Sequence, residues 1–521
     1  HTMIFTSNKI AVYKIFKGSV VSDTIEVMTQ GGSVDEVNIQ VSELLELYKG
    51  DVGLFFCYPN QLNLKAPNSQ RSLWDIYSSA QGCFKYALNE GGASAPFVHY
   101  TSVQQQLYQE LTQKLGNQPT IINASFSLTK TPLTQTSLGV SPLGTPSITS
   151  FSPNMVKAGS FAEADNVLTI TGSGFGSASG SAGINFDNAD DGTGGTPYFV
   201  AYNSDLITSW ADGTIVVKVP SKAGTGTFSV VDAVGAVATS PTALQVKYAI
   251  LNATFVSSPI NREYNLMKKN SSGGYDYLYS TSTAGGGVDF SIAPEKTTFE
   301  RAITTWKGGS GLNFVYTTTT ATQTVSPTDG VNIIMMDNTN TGAGVLPAGV
   351  LAVCYSGAFS CSGSQHARRA GFDIVIRNAG VSTGSTPFNS GPCATSTAGA
   401  VYDLETVLLH ELGHALNLGH INDSYLGVSF PNIDPGKLMN YAVVNGVDRR
   451  SPDWSAFTGA RYCIMPRALD YGGCTAEIEM IPLATTTESK DECPGTFPGV
   501  ATPSGTTVAF DLVHATNLSS G

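Results

Sequence analysis

Charged residues are scarce in this chain of 521 residues, where Asp, Glu, Lys and Arg make up 13 % of the total. This is about half of the share that is usual in soluble proteins. The 28 lysines and arginines are outnumbered by 40 acidic residues, which gives a net charge of −12. Because nucleic-acid-binding surfaces need a cationic footprint, the sequence argues against a nucleic-acid partner. A hydrophobic content of 41 % argues against general disorder.

Long apolar runs are also missing. No run approaches the roughly 18 residues that a membrane-spanning helix needs, and the apolar stretches at 52–58 and 331–336 have the length of strands. We therefore expect no transmembrane segment. The chain begins His-Thr-Met, without a basic segment followed by an apolar one, so a signal peptide is expected to be absent or already removed.

Eight cysteines are present, and none forms a Cys-x-x-Cys pair. An even number without metal-like spacing predicts up to four disulfides and an oxidising compartment, with free buried thiols as the alternative. We expect a secreted or cell-surface protein of a bacterium. Cys57 is predicted to pair with Cys83, and Cys354 with Cys361. The remaining four have three possible pairings: Cys393, Cys463, Cys474 and Cys493.

Residues 1–125 predict a β-rich module. Short apolar or β-branched runs at 11–16, 24–28 and 37–41 are broken by glycines, and residues 104–115 predict a helix. No residues in this module have catalytic spacing. Residues 126–145 are rich in Thr, Ser and Pro, which is typical of a linker.

The next segment has strand-like alternation at intervals of about ten residues, which predicts a β-sandwich. Its motifs include Pro-Ser-Ile-Thr-Ser-Phe-Ser-Pro at 146–153, Leu-Thr-Ile-Thr-Gly-Ser-Gly-Phe-Gly at 168–176 and Ala-Gly-Thr-Gly at 223–226. In this order the motifs resemble an IPT/TIG domain over residues 146–248. The resemblance implies an immunoglobulin-like fold that acts as a spacer or a binding module.

Asp187, Asp190 and Asp191 cluster in a glycine-rich stretch of the same segment. Oxygen-rich loops can bind calcium, so these three residues are candidate ligands of a structural Ca²⁺. The stretch lacks the full EF-hand pattern, and a solvated acidic turn is the alternative.

The pattern that carries chemistry is His-Glu-Leu-Gly-His-Ala-Leu-Asn-Leu-Gly-His at 410–420. His410 and His414 are four residues apart, so they share one helix face and can bind one zinc ion, with His420 as third ligand once the helix ends. Glu411 can reach a water on that ion and act as its general base. Chance would place these residue types at this spacing about once in ten thousand such chains.

The surrounding residues 404–416 contain no proline and are dominated by Leu, Val, Glu and Ala, which predicts a helix with Asp403 as its N-cap. Leu-Met-Asn-Tyr follows at 438–441. A three-histidine zinc motif followed by a methionine-containing turn resembles the metzincin metallopeptidases. The helix predicted at 299–306 and the strand predicted at 349–353 resemble the matrixin-like branch of that clan.

The resemblance implies roles for further residues. Met439 would form the hydrophobic floor of the metal site, although ordinary core packing is the alternative. Tyr441 would contact the zinc or the oxyanion, with a packed aromatic as the alternative. The predicted cleft-edge strand would bind an extended peptide by β-augmentation, and it contains Gly349, Val350, Leu351 and Ala352.

Two positions depart from the clan pattern. Asn417 stands where a glycine is usual, and since asparagine tolerates a left-handed backbone best after glycine, we expect the turn to be kept. Ile421 follows the third histidine and matches no residue that defines a subfamily.

The predicted architecture is multidomain. A β-rich N-terminal module and an immunoglobulin-like sandwich precede an α+β, metzincin-like catalytic domain at 250–485 and a tail at 486–521. The predicted function is that of a secreted, monomeric, zinc-dependent endopeptidase acting on proteins or peptides. A surface adhesin or binding protein with an inactive metzincin-like domain is the alternative. The N-terminal module is expected to be an accessory domain. As a pro-region, it would block the zinc with Cys57, Cys83 or a carboxylate.

Overall fold

The structure is a computed structural model of the chain. It describes residues 3–464 except 61–63, 67–71, 88–90, 97, 125–144, 162–165, 192–194, 266–273, 341–344, 361–365, 379–387, 393–400, 423–436 and 444, and also residues 470–471 and 474–475. The linker predicted at 126–145 lies almost wholly outside the described residues, and the tail at 486–521 lies wholly outside them. None of the described helices is long and apolar enough to cross a membrane.

The N-terminal module is rich in short strands, as predicted. Two four-stranded sheets form, with the orders β1-β3-β8-β7 and β11-β10-β9-β6. A π-helical turn at Val103–Tyr108 leads into the helix α1 (Gln109–Leu115) where the sequence predicts a helix. The strands are β1 (Phe5–Ala11), β2 (Lys14–Ile15), β3 (Thr24–Gln30), β4 (Gly32–Val34), β5 (Val37–Val41), β6 (Gly53–Phe55), β7 (Cys57–Pro59), β8 (Trp74–Ile76), β9 (Cys83–Ala87), β10 (Gly92–Ala95), β11 (Val98–Tyr100) and β12 (Thr120–Ile121).

The second segment is a β-sandwich around its own apolar core. One sheet has the order β13-β15-β19-β18 and the other β17-β16-β20-β21, while β14 and β22 form a parallel pair. Alternate residues of β15 and β19 point into the core, which includes Leu168, Ile170, Ile215 and Val217. The strands are β13 (Ser147–Ser152), β14 (Met155–Ala158), β15 (Val167–Ser173), β16 (Gly183–Phe186), β17 (Tyr198–Ala201), β18 (Ile207–Ala211), β19 (Thr214–Lys218), β20 (Ser229–Val231), β21 (Val237–Thr239) and β22 (Gln245–Ala249).

The third segment combines a mixed sheet with helices. Its helices are α2 (Pro294–Ser310), α3 (Leu404–Ala415) and α4 (Trp454–Ile464). The predicted helix at 299–306 is thus confirmed within a longer one. The strands are β23 (Asn252–Phe255), β24 (Ser258–Asn265), β25 (Gly274–Ser280), β26 (Asn313–Thr320), β27 (Ile333–Met336), β28 (Ala352–Ser360), β29 (His366–Ile376), β30 (Phe388–Asn389), β31 (Tyr402–Asp403), β32 (Asp470–Tyr471) and β33 (Cys474–Thr475).

The large sheet of this segment includes strands of the N-terminal module. Its order is β26-β25-β27-β29-β28-β5-β4, and β24 joins it beside β29. Strand β28 is antiparallel to β29 and to β5. The N-terminal module is therefore not separate from the third segment, because its strands β5 and β4 continue the third segment's sheet.

Helices α2 and α3 pack together above this sheet. Trp306 of α2 is fully buried, and its indole N–H donates to the backbone oxygen of Leu409 in α3 at 2.9 Å. Phe299 and Ala302 lie on the same buried face of α2, as their spacing predicts. This hydrogen bond fixes the position of α3 relative to α2.

Two sequence predictions need correction. The strand predicted at 349–353 begins only at Ala352 and runs to Ser360, because the preceding chain turns at Gly349 with φ 81°. Cys57 and Cys83 are free thiols packed in one apolar cluster, and Cys354 is a buried free thiol, so neither predicted disulfide is formed. Burial raises the pKa of the Cys57 thiol to about 11. Cys361, Cys393 and Cys493 lie outside the described residues.

Candidate metal centre

Helix α3 begins at a strong N-cap. The Asp403 carboxylate accepts the backbone N–H of Thr406 at 3.0 Å and its hydroxyl at 2.8 Å, which satisfies a free donor of the first turn. Arg450 forms an ion pair with Asp403 at 2.6 Å. The N-cap predicted from the sequence is confirmed, and the start of α3 is fixed two turns before its first histidine.

After α3 ends, the chain turns back toward the side chains of this helix. Asn417 has a φ of 68°, the left-handed conformation expected of asparagine in place of glycine. The buried guanidinium of Arg369 donates to the backbone oxygen of His414 at 3.1 Å and to the side-chain oxygen of Asn417. The N–H of Leu251 donates to the Asn417 backbone oxygen at 2.8 Å. The turn is thus held from two sides, and His420 returns toward α3.

The three histidines meet with their Nε2 atoms together. The Nε2 atoms of His410 and His414 are 3.0 Å apart. One ligand atom from each of His410, His414, His420 and Glu43 lies within 4.8 Å of all the others. Among the residues that the structure describes, these four form the one group of His, Cys, Asp or Glu side chains that could hold a metal ion. The sequence motif predicted the three histidines, and the structure brings them together.

The Nδ1 atoms determine which nitrogen faces inward. Nδ1 of His410 lies 2.8 Å from the Leu438 backbone oxygen, and Nδ1 of His414 lies 2.8 Å from the Leu418 backbone oxygen. A carbonyl oxygen only accepts, so Nδ1 carries the proton and Nε2 of the neutral ring has a free lone pair. Lone pairs that converge in a buried pocket repel each other unless a cation lies between them. The donor set therefore fits a zinc ion.

Glu43 of the N-terminal module is the fourth member of the group. Its Oε1 lies 2.8 Å from Nε2 of His420, 3.1 Å from Nε2 of His410 and 3.6 Å from Nε2 of His414. Burial alone would raise the pKa of Glu43, but the positive charge at His420 and the polar contacts with the three histidines hold it well below its ordinary value. Three imidazoles and a carboxylate are ligand types that zinc takes in proteins, so Glu43 would be able to hold the ion together with the histidines.

The electrostatics of the pocket favour a central positive charge. Burial opposes protonation of His420, but the facing carboxylates of Glu43 and Asp190 raise its pKa to about 10. His414 is buried without a second carboxylate, and burial lowers its pKa to about 4. A divalent cation between the rings supplies the charge that these carboxylates favour while leaving all three imidazoles neutral.

Glu411 is buried beside the group. Its Oε2 accepts a hydrogen bond from the Ser42 hydroxyl at 2.8 Å. Burial, reinforced by the charge of Glu43 and opposed by His410, raises the pKa of Glu411 to about 7. A carboxylate with that pKa exchanges protons readily near neutral pH, which suits a general base.

Met439 packs against α3, the helix that carries His410 and His414. A Cβ atom added at Gly413 in α3 would overlap the Met439 sulfur and approach its methyl carbon to 3.0 Å. Both flanking residues, Leu438 and Asn440, are buried as well. Gly413 is therefore required for Met439 to lie against α3, a packing that fits both the implied floor of the metal site and the alternative of ordinary core packing.

Tyr441 and the cleft edge line one cavity together with the histidines. This cavity has a volume of about 710 Å³, and its wall includes Gly349, Val350, Leu351 and Ala352. Burial raises the pKa of Tyr441, with a contribution from Asp191, so its phenol keeps its proton at neutral pH. Tyr441 and the predicted cleft residues thus share the wall of one cavity with the histidines.

The three aspartates predicted to bind calcium have separate partners. Asp187 accepts from the side-chain amide of Asn422 at 2.7 Å, Asp191 accepts from the N–H of Thr196 at 2.7 Å, and Asp190 contacts His420 and Lys222. Among the described residues, their carboxylates form no group that could hold a metal ion. The structure therefore does not bring this predicted calcium set together.

Asp190 instead orients the third histidine. Its Oδ1 lies 2.8 Å from Nδ1 of His420, and its Oδ2 lies 2.7 Å from Nζ of Lys222. Carboxylates in this position fix the tautomer and the orientation of a metal-binding imidazole. The sandwich thus supplies an outer-shell residue to the candidate metal centre.

We expect Asp190→Asn to weaken zinc binding by about 10–100-fold, because outer-shell partners of metal-binding histidines contribute about that much. Zinc affinity would be measured by competition with a chromogenic chelator. Lys222→Met is the matched control, since it breaks the ion pair but leaves the Asp190–His420 contact. An equal loss of affinity in both variants would contradict the role of Asp190 in orienting His420.

Comparison with known proteins identifies the family of the second domain. Residues 146–248 match the family model of the IPT/TIG domain, so this part of the sequence prediction is confirmed. A comparison with curated proteins gives no match. Among solved structures, the chain is similar to a gamma-CGTase from the alkalophilic Bacillus clarkii at 14 % identity, with a TM-score of 0.15. That similarity covers 69 % of this chain and 40 % of that chain, and at this TM-score it carries no argument.

Sequence reasoning missed three residues of the centre. Glu43 and Ser42 approach it from positions 367 and 369 residues away from their partners, and Asp190 from 230 residues away. The sequence-based prediction allowed for a blocking carboxylate but did not identify it, and it gave Asp190 as a calcium ligand. No local spacing connects these residues to the histidine motif.

Proposed function

We propose that this chain is a zinc-dependent endopeptidase whose metal is held by His410, His414 and His420. The observation that carries the proposal is the convergence of three Nε2 atoms whose Nδ1 atoms are held by two carbonyl groups and a carboxylate. An ordinary buried histidine needs one hydrogen-bond partner and no such convergence. The metzincin-like sequence pattern, with Met439 packed against α3, supports the same assignment.

The residues around the metal group divide the chemistry of peptide hydrolysis among them. Zinc, when bound, supplies Lewis-acid activation of a water and of the scissile carbonyl. Glu411 accepts the proton of the attacking water and delivers it to the leaving amine. Tyr441, protonated at neutral pH, donates a hydrogen bond to the developing oxyanion. The edge of β28 aligns an extended substrate through its backbone groups.

Zinc content and chelator-sensitive cleavage test this proposal. We expect one zinc per chain by metal analysis and cleavage of a peptide library that stops on dialysis against a chelator and returns when zinc is added. The measurements would be made on the full chain and on its Glu43→Gln variant. Chains that bind no zinc, or cleavage that a chelator leaves unchanged, would contradict the proposal.

A second candidate function is a surface-binding protein with an inactive peptidase-like domain. The presence of Glu43 among the histidines favours it, because a ligand from the chain itself blocks the open position that catalysis needs. The retained Glu411 opposes it, because a protein that does not hydrolyse peptides has no need of a buried general base at this position.

A further inference from the structure

We propose that residues 37–46 form an internal plug that keeps the site latent, with the Glu43 carboxylate as the fourth ligand of the metal. This inference rests on the proposed zinc peptidase function and adds its regulation. The residues from Val37 to Glu46 are called the plug below. The plug contacts the metal group, the general base and the edge of β28, and each contact separately supports the proposal.

The first contact occupies the edge of β28, on the C-terminal side of the predicted cleft residues. Strand β5 pairs antiparallel with β28 from Val41 opposite Tyr355 to Val37 opposite Phe359. Ser42 extends the pairing, since its N–H donates to the Cys354 backbone oxygen at 3.2 Å. A peptide substrate that adds to this edge by β-augmentation needs the same backbone groups. The plug therefore takes the place of a substrate strand.

The second contact is with the metal group. Glu43 has a φ of 59°, a left-handed conformation that is unfavourable for a residue other than glycine. The turn brings its carboxylate to the three Nε2 atoms. Strained residues of this kind cluster at functional sites, where the surrounding structure compensates for them. The conformation of Glu43 thus indicates that its contact with the histidines is specified by the fold.

The third contact covers the general base. The Ser42 hydroxyl donates to Glu411 and accepts from the backbone N–H of Cys354 at 2.8 Å. The hydroxyl therefore joins the base to β28 and occupies a hydrogen-bonding position on the Glu411 carboxylate. Two adjacent residues, Ser42 and Glu43, together engage the base and the metal ligands.

The plug is anchored beyond Glu43. Leu45 is buried in an apolar cluster of the N-terminal module, and its N–H donates to the Ser79 hydroxyl at 2.8 Å. An exposed turn follows at 48–51, with Gly50 at a φ of 102°. Release of the plug therefore requires either loss of the Glu43 contact or a break of the chain in this exposed turn.

The test compares the full chain with its Glu43→Gln variant, and Glu36→Gln is the matched control at the exposed end of the β4–β5 hairpin. Each chain is loaded with Co²⁺ in place of zinc, and the visible spectrum reports its ligands. A short peptide hydroxamate then probes access to the metal. If the wild-type site is open in about 1 % of molecules, Glu43→Gln binds the probe about 100-fold more tightly. Its cobalt spectrum changes, while the spectrum of Glu36→Gln does not.

A second variant guards against misfolding of Glu43→Gln. A recognition sequence for a specific protease is placed in the turn at 48–51, and the intact and cut chains are compared for hydroxamate binding. We expect binding to tighten after the cut. Equal probe affinity and equal cobalt spectra in wild type and Glu43→Gln would overturn the plug, even where zinc-dependent cleavage is found. Failure of every chain to bind metal would instead contradict the zinc site itself.

Discussion

Substituting Glu411 by alanine is expected to reduce peptide hydrolysis by about 10²–10⁴-fold, the contribution that a positioned general base makes. Zinc content should not change, because Glu411 is not among the four residues whose ligand atoms converge. The buried carboxylate, whose pKa is raised to about 7, is the proposed acceptor of the proton from water. The measurement is the rate of cleavage of a fluorogenic peptide.

The comparison is made in the Glu43→Gln background, so that latency does not hide the loss. Glu36→Ala is the matched control, because Glu36 lies outside the plug at the exposed end of the β4–β5 hairpin. Its cleavage rate should stay near that of the Glu43→Gln parent. Near-parental cleavage by the Glu411 variant, with zinc retained, would exclude Glu411 as the base.

Local sequence patterns predicted the elements that carry the site. Helix α3, its N-cap at Asp403 and the left-handed turn at Asn417 all follow from the residues within that segment. The two helical histidines need only the spacing of four residues. The IPT/TIG domain was predicted from several motifs in order, since each strand of a sandwich has its own alternating pattern.

The rest depended on contacts between distant segments. The plug contains the strand β5, whose sequence pattern fits any partially buried β-strand. Its pairing with β28 could therefore not be predicted from the sequence. Asp190 lies in an acidic stretch that fits a calcium loop equally well, and only the fold places His420 against it. The disulfide prediction was wrong for the same reason. The number and spacing of the cysteines fit disulfides, but Cys57 and Cys83 pack as free thiols in an apolar cluster.

Substituting His414 by alanine is expected to weaken zinc binding by more than the roughly 10–100-fold that loss of an outer-shell partner costs. His414 is a member of the group, since its Nε2 lies 3.0 Å from that of His410 and 3.6 Å from the Glu43 carboxylate. Two histidines and a carboxylate remain, but the lone pair that converges with that of His410 is gone. Zinc per chain after dialysis is the direct measurement, and His99→Ala, an exposed histidine of the N-terminal module, is the matched control.

Thermal unfolding with and without zinc separates metal loss from a packing defect at the buried position of His414. A ligand that binds only the native state stabilises it by about 4.1 kcal/mol at 1,000 times its dissociation constant. The wild type and His99→Ala should therefore unfold at a higher temperature when zinc is added. For His414→Ala the zinc-dependent rise should be clearly smaller than for the wild type, whatever its baseline stability. A zinc-dependent rise in that variant equal to the wild-type rise would show that the metal is held elsewhere in the chain.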